Sequence, residues 1–447
     1  MMKFENKGDF KQAIKQLKND QNNAVATVFE QDVNPNNEGI LKGITFTLKN
    51  NYAKNFDTTD ASSNLLTDFN PGYNATILDK LFAQGAKLVG TTNLDEFGLG
   101  GTGLYANRGL VLHPKNPQHL VGGSSSGSAA TLTDAIGFAI GSDTGDSVRL
   151  PASNIGKVGF KPSYGAVSRY GLFAYASSLD TVAWFSHNVN DSAILAQVLF
   201  GQDPMDLTSL NLPINDVKLV KPKTIAYLDC FDHLSDYVAK SYQKLLDQIK
   251  QDPTIKLVKI KPDLILLNSI KTVYDIVSFA EASSNLSNLT GIGFGQRQSG
   301  ENWEEMIKNT RSNGFGFMVQ RRLALGSFYL EKENQQEIFL RAQKIRRLIV
   351  DWFTKIHQES DIFIYPASAT IAPLKDAEIE FSNDYMGYMG SILTGANLVG
   401  NPSITIKLDE FQSMPFNLAI DGLIYQDQNL LSYALWMEKL IQGVNHD

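Results

Sequence analysis

Three serines in a row, inside VGGSSSGSAA at 121–130, are the first residues of the chain whose types and spacing suggest chemistry. As a linker, such a Gly/Ser stretch would be flexible and silent. The SAATLTDAI that follows has good helix character, however, and serine favours helix starts, so the run opens a helix. As a phosphate loop it lacks the lysine of GxxxxGK[ST]. It formally satisfies the G-x-S-x-G nucleophile elbow over 123–127, but an elbow follows an apolar strand, and here Pro114 and Pro117 break the preceding segment. The histidines an elbow would need, His187, His233, His357 and His446, sit in no distinctive loop. The surroundings offer a fourth reading. A second serine loop, GSDTGDS at 141–147, follows one helix and one strand later, and upstream Lys49 ends the alternating segment GITFTLK.

This layout resembles the amidase signature family, whose chemistry uses a Lys–Ser–Ser triad. The resemblance implies that Lys49 in TLKNN is the base, Ser124 in GGSSSGS the bridging serine and Ser147 in SDTGDS the nucleophile. Such a triad needs no histidine. A lysine at its free pKa of about 10.4 is protonated at neutral pH and a poor base. Burial lowers that value by disfavouring the charged form. A hydroxyl both donates and accepts, so Ser124 can pass a proton from Ser147 to Lys49. Ser147 Oγ then attacks an amide carbonyl, and backbone N–H groups at Thr144, Gly145 and Asp146 stabilise the oxyanion.

Further segments narrow the resemblance to the A subunits of bacterial aspartyl/glutamyl-tRNA amidotransferases. They are NLDEFGLGG (93–101), GFKPSYGAVSRYGLFAYASSLDTVAWFSHNVND (159–191), AEASSNL (280–286), TRSNGFG (310–316) and RAQKIRRLI (341–349). General amidases share the serine loops but not, as a rule, the ASSLD, EASSNL and RSxGFG segments. The resemblance implies a glutaminase that passes ammonia to a B subunit. That partner would use ATP and Mg²⁺ to amidate Glu-tRNA(Gln) or Asp-tRNA(Asn), with a C subunit bracing the pair; this chain needs no cofactor or metal of its own. Arg322 in QRRLALG, next to Arg321, matches the arginine that holds the α-carboxylate of glutamine, a task suited to guanidinium geometry. Three positions depart from the pattern. Asp146 and Ser126 replace glycines, and Ser391 stands where the acid for the α-amino group falls. A side chain at Asp146 limits backbone freedom, and its carboxylate would repel an oxyanion unless it points away. A stand-alone amide hydrolase or a catalytically weak structural subunit is the alternative.

The elements that must position these residues alternate between strand and helix. GITFTLK points Ile44, Phe46 and Leu48 one way and Thr45, Thr47 and Lys49 the other. ATILDKLFAQGAKLVGTTN reads as a helix, a stop at Gly85 and a short buried strand. AIGFAIGSDTG is an apolar strand entering a tight loop; KTIAYLDC, YVAKSYQKLLDQIK and KLVKIK repeat the alternation. A long amphipathic helix is expected from about 335 to 359, ahead of the strand DIFIYPAS. The expected class is α/β: the amidase-signature fold, a large mixed twisted sheet flanked by helices, as one catalytic domain over 1–447. Within it the catalytic core spans about 40–200 and a substrate-covering, partner-contacting part about 222–447. The turn-rich stretch at about 200–221 is a surface boundary, unless strands on both sides join one sheet.

Composition sets the outer bounds. With 43% hydrophobic and 19% charged residues the chain is an ordinary globular protein. A net charge of −7 argues against gripping nucleic acid alone and leaves tRNA to a partner. The single cysteine, Cys230, reads as a buried structural thiol and allows no internal disulfide. There is no long apolar run for a membrane span and no apolar signal core at the start, so a cytoplasmic chain is expected.

Overall fold

The computed structural model of the chain describes residues 2–376 and 387–444; His446 lies outside them. Eleven strands form one sheet: β1 (Val25–Val28), β2 (Thr45–Lys49), β3 (Lys87–Thr92), β4 (Phe138–Asp143), β5 (Val158–Lys161), β6 (Thr181–Ser186), β7 (Thr224–Leu228), β8 (Lys256–Ile260), β9 (Ile362–Pro366), β10 (Ser403–Phe411) and β11 (Met414–Asp421). Their spatial order is β1-β3-β2-β4-β6-β5-β10-β11-β9-β7-β8. β3, β2 and β4 run parallel, as do β9, β7 and β8. The pairings from β4 through β9, and β1 with β3, are antiparallel. The sheet is mixed rather than largely parallel, because the hairpin β10–β11 and the run β4–β6–β5 reverse its middle.

Strand alternation explains why both faces are covered. Phe46 and Leu48 of β2, Phe138 and Ile140 of β4 and Trp184 of β6 enter the larger core. Val89, Ala139, Ala183 and Phe185 enter a smaller one on the opposite side. Thr45, Thr47 and Lys49 share that second side, and it is as buried as the apolar one. The short helix Ser126–Thr131, built of SGSAAT, lies against it. Its small side chains permit a close approach, and its hydroxyls find partners. Thr131 meets Thr47 at 3.1 Å between hydroxyls, and Ser128 meets Thr92 at 2.8 Å.

The elements expected from the sequence appear around this frame. Helix Thr76–Ala83 ends at the left-handed Gly85 before β3. Helix Asp236–Lys250 crosses from β7 to β8. The helix expected from 335 opens with a wide π-type turn over Gln335–Leu340 and continues as Arg341–Glu359. Residues 201–223 carry no strand or helix, and β10 and β11 join the strands on either side of them into one sheet. Cys230 is fully buried and its thiol is pushed up to about 12 by that burial. Among the described residues no helix is long and apolar enough to cross a membrane.

Helices Leu264–Asn285 and Phe317–Leu330 cross at Gly326, where a Cβ would come within 1.9 Å of the Phe279 carbonyl oxygen. Only glycine lets the two backbones meet. Gly326→Ala must push the helices apart, and destabilisation by about 1–3 kcal/mol is expected. Urea unfolding checks this against Gly443→Ala, where nothing lies within 4 Å of an added Cβ and no loss is expected.

Candidate active site

Because β2 and β4 are parallel, with Leu48 beside Ile140, their carboxyl ends lie side by side. Lys49, the last residue of β2, is thereby brought to Ser142 near the end of β4. Ligand sites of α/β sheets form at such carboxyl ends. The helix Ser126–Thr131 delivers the serine run to the same place. Lys49 Nζ lies 2.8 Å from Ser124 Oγ, 2.9 Å from Ser125 Oγ and 2.9 Å from Ser142 Oγ. The side chain is fully buried, and burial lowers its pKa to about 7 despite the opposing pull of Asp95, Asp143 and Asp180. A neutral amine is therefore well populated near neutral pH.

The neutral amine has two N–H groups and one lone pair. Ser125 Oγ donates its own hydrogen to the Ser142 carbonyl at 3.2 Å, so it faces Lys49 as an acceptor. Ser142 Oγ also accepts from Asn51 at 3.2 Å. Ser124 Oγ has no other hydrogen-bond partner among the described residues, which leaves its O–H free to point at the lone pair. Ser125 and Ser142 hold the amine, and Ser124 is the hydroxyl able to exchange a proton with it. The Gly123–Ser124 peptide is cis. Gly123 must be glycine, since a Cβ would lie 2.2 Å from Asp95 Oδ2.

The loop after β4 is fixed by a buried ion pair. Asp143 and Arg149 meet at 3.1 Å with neither side chain exposed. Burial alone would raise the Asp143 pKa; the Arg149 guanidinium outweighs it and holds the carboxyl below its usual value. Arg149 also donates to the carbonyls of Gly145 and Leu393, to Ser403 and to Asn397. The Ser125 N–H donates to the Ser147 carbonyl at 3.2 Å, clipping the two serine loops together. Ser147 is buried and its Oγ makes no hydrogen bond among the described residues. The N–H groups of Gly145, Asp146 and Ser147 likewise donate to no acceptor among them, which is the condition of an oxyanion site. The Thr144 N–H has no acceptor among the described residues either, and its hydroxyl donates to Asp180 at 2.7 Å. The other Asp180 oxygen accepts from the N–H groups of Tyr175 and Ala176.

The backbone of Asp146 lies outside the left-handed region, so its side chain imposes no strain of that kind. The residue is half-buried, and burial of its carboxyl together with Asp143 pushes its pKa up to about 7. Ser126 is buried with its hydroxyl unpartnered. Arg322, on helix Phe317–Leu330, donates to the Tyr175 hydroxyl at 3.0 Å, while its Nε has no partner. It acts electrostatically on both Asp95 and Asp146, and lowers the pKa of each. Ser391 is buried and donates to the Tyr388 carbonyl at 3.3 Å, within its own turn. Among the described residues no hydrogen bond joins it to Arg322 or to the serines. The described histidines hydrogen-bond to neither serine loop; His113, His119 and His187 bind main-chain carbonyls elsewhere. No cluster of three or more metal-ligating side chains occurs among the described residues.

The sequence alone misses Ser125 and Ser142 as holders of the lysine, and Arg149 and Asp180 as holders of the loop. Ser142 was readable in principle, because parallel pairing of β2 with β4 sets it beside Lys49. Arg149 was not, since most of its partners come from residues far along the chain.

A buried lysine, a serine pair and free N–H donors at strand ends define a serine hydrolase of the amidase kind, and the chain belongs to the amidase family, whose model matches residues 9–431. Within that family it is similar to the A subunit of the glutamyl-tRNA(Gln) amidotransferase of Mycoplasma genitalium, 37% identical over 435 residues that cover 94% of this chain and 91% of that one. The corresponding polypeptide of Aliarcobacter butzleri, which bears the same name, is 38% identical over 408 residues, covering 89% and 88%. The crystal structure of its namesake from Thermotoga maritima superposes with a TM-score of 0.78 at 27% identity, over 98% of this chain and 96% of that one.

If Lys49 is the base, phosphonylation of Ser147 by a fluorophosphonate speeds up as pH rises through about 7, where the amine loses its proton, and then levels off. Lys49→Met and Ser124→Ala are expected to slow labelling by about 10²-fold or more. Mass spectrometry of the labelled peptide, read across pH 5.5–9, is the measurement.

Proposed function

We propose that this chain is the glutaminase component of a tRNA-dependent amidotransferase. The observation that carries the reading is the guanidinium of Arg322, unpaired at Nε and within electrostatic reach of Asp146 in the Ser147 loop, beside a site that also holds the Lys49–Ser124 couple. A guanidinium with free donors suits a carboxylate, and glutamine carries one at a fixed reach from its amide. The names of the relatives from Mycoplasma genitalium and Aliarcobacter butzleri support the same reading.

In this mechanism glutamine docks its α-carboxylate on Arg322 and its amide carbonyl under the N–H groups of Gly145, Asp146 and Ser147. Ser147 Oγ attacks the amide carbon while its proton passes through Ser124 to neutral Lys49. The new C–O bond leaves a negative oxygen in the N–H cradle. Collapse breaks the C–N bond, and the proton returns through Ser124 to the departing nitrogen, giving ammonia and a glutamyl ester on Ser147. Water then releases glutamate by the same relay. Ammonia passes to a B subunit that activates Glu-tRNA(Gln) or Asp-tRNA(Asn) with ATP and Mg²⁺, and a C subunit completes a cytoplasmic heterotrimer. The division into a catalytic core at about 40–200 and a partner-contacting part at about 222–447 fits this task. Ile265, Trp303 and Phe317, large apolar side chains left exposed, all fall in the second part.

A second reading, a catalytically weak structural component, is favoured by the carboxylate of Asp146 beside the nucleophile. The two are separated by ammonia release from glutamine, measured for the chain alone and for the complex with its partners. Turnover that appears in the complex and vanishes in Ser147→Ala supports the proposal. Efficient hydrolysis of simple aliphatic amides by the free chain, without partner binding, overturns it; no turnover in any complex favours the structural reading. Arg322→Met is expected to raise KM for glutamine by about 10- to 100-fold with a smaller change in kcat, the range for losing a charged hydrogen-bonded contact.

A further inference from the structure

Asp146 is the one charge near Ser147 that the hydrolysis does not use and would not tolerate without compensation. A carboxylate beside a forming oxyanion is repulsive. Its backbone is not in the left-handed region, so no conformational demand accounts for the residue. Its carboxylate accepts no hydrogen bond and forms no ion pair among the described residues, and Asp146 is half-buried while Gly145 and Ser147 on either side are buried. The groups that face it are Asp143 and Arg149 from its own loop, Lys271 and Tyr274 from helix Leu264–Asn285, and Arg322 from helix Phe317–Leu330. Two of the three cations are already committed. Arg149 is paired with Asp143, and Lys271 with Asp275 at 2.6 Å. Of these three, Arg322 alone keeps an unpartnered donor that is buried, and no carboxylate is paired with it in an ion pair among the described residues.

The cleft beside the nucleophile therefore presents one free cation and one free carboxylate, a charge pattern complementary to a zwitterion. The α-carbon of glutamine lies three bonds from its amide carbon, so both of its charged groups sit close to the reacting atoms. We infer that Asp146 receives the α-ammonium of the substrate and makes the site selective for an amino-acid amide over the same amide without its amino group. The inference rests on reading the site as a glutaminase. It also removes the conflict with the oxyanion, because the bound ammonium neutralises the carboxylate during the reaction. In the empty site the Asp146 carboxyl, raised to about 7, is partly protonated at neutral pH. The arriving ammonium favours its ionised form, and binding releases a proton.

The test uses the assembled complex with L-glutamine and with glutaramate, which carries hydrogen in place of the ammonium. The wild type is expected to prefer glutamine by about 10- to 100-fold in kcat/KM, the range for one charged contact. Asp146→Asn should bring the ratio of kcat/KM for glutamine over glutaramate most of the way to one, mainly through the KM for glutamine, and Asp146→Gly should do the same; the ratio cancels any effect that either change has on the oxyanion cradle common to both substrates. Calorimetry of glutamine binding to a Ser147→Ala complex at pH 7, in two buffers of different ionisation enthalpy, should show proton release that disappears on adding Asp146→Asn. Lys49 titrates in the same range, so both forms are compared in the one background. A preference for glutamine that survives both Asp146 variants overturns this inference and leaves the glutaminase reading intact. A wild-type complex that releases no ammonia from glutamine overturns that reading and this inference with it.

Discussion

The ion pair between Asp143 and Arg149 is the interaction on which the site depends. Two charges taken fully out of water lose solvation that their attraction recovers only when the remaining donors are also satisfied. Here the guanidinium is surrounded by acceptors from Asp143, Gly145, Leu393, Asn397 and Ser403. Removing one partner of such a pair leaves an uncompensated buried charge, at a cost of about 3–5 kcal/mol. The pair thus fixes the loop of Ser147 by tying it to residues roughly 250 positions further along the chain. The loop of Ser147 has its shape only once the segment from Leu393 to Ser403 is in place.

Lys49 shows the same environment put to the opposite use. Its amine has serine hydroxyls around it and no carboxylate in contact, so Asp95, Asp143 and Asp180 offset burial only in part and the charge is given up near neutral pH. Arg149 keeps its charge because a carboxylate is in contact; Lys49 loses its charge because the nearest acids act only at a distance. The carboxyl ends of β2 and β4 therefore gather a permanent cation at Arg149 and a readily neutralised amine at Lys49, and the distance to a carboxylate decides which is which.

Much of this was legible in the sequence because it is local. The alternation of GITFTLK gives β2 and puts Lys49 opposite Phe46 and Leu48; the stop at Gly85 and the strand into SDTG lie where the pattern sets them. What alternation does not reveal is that the side bearing Thr45, Thr47 and Lys49 is dry, since that depends on which helix covers it. The serine run was legible as a helix start, yet Ser125 gives its side chain to Lys49 and Ser142 rather than capping the helix. The mixed order of the strands, and the hairpin β10–β11 that joins the two ends of the sheet, depend on pairings between distant segments that no local pattern encodes. Ser391 could be placed by resemblance, but its hydroxyl, spent on Tyr388, could not.

Asp180 makes Arg322 and the loop of Ser147 one mechanical unit. One of its oxygens holds Thr144, and the other holds the main chain at Tyr175, whose hydroxyl in turn receives Arg322 and reaches Ser278. The guanidinium and the oxyanion cradle are therefore linked through a single carboxylate. A pull on helix Phe317–Leu330, whether from a ligand below or a protein docked above, is felt at the peptide groups beside Ser147 without passing through the sheet.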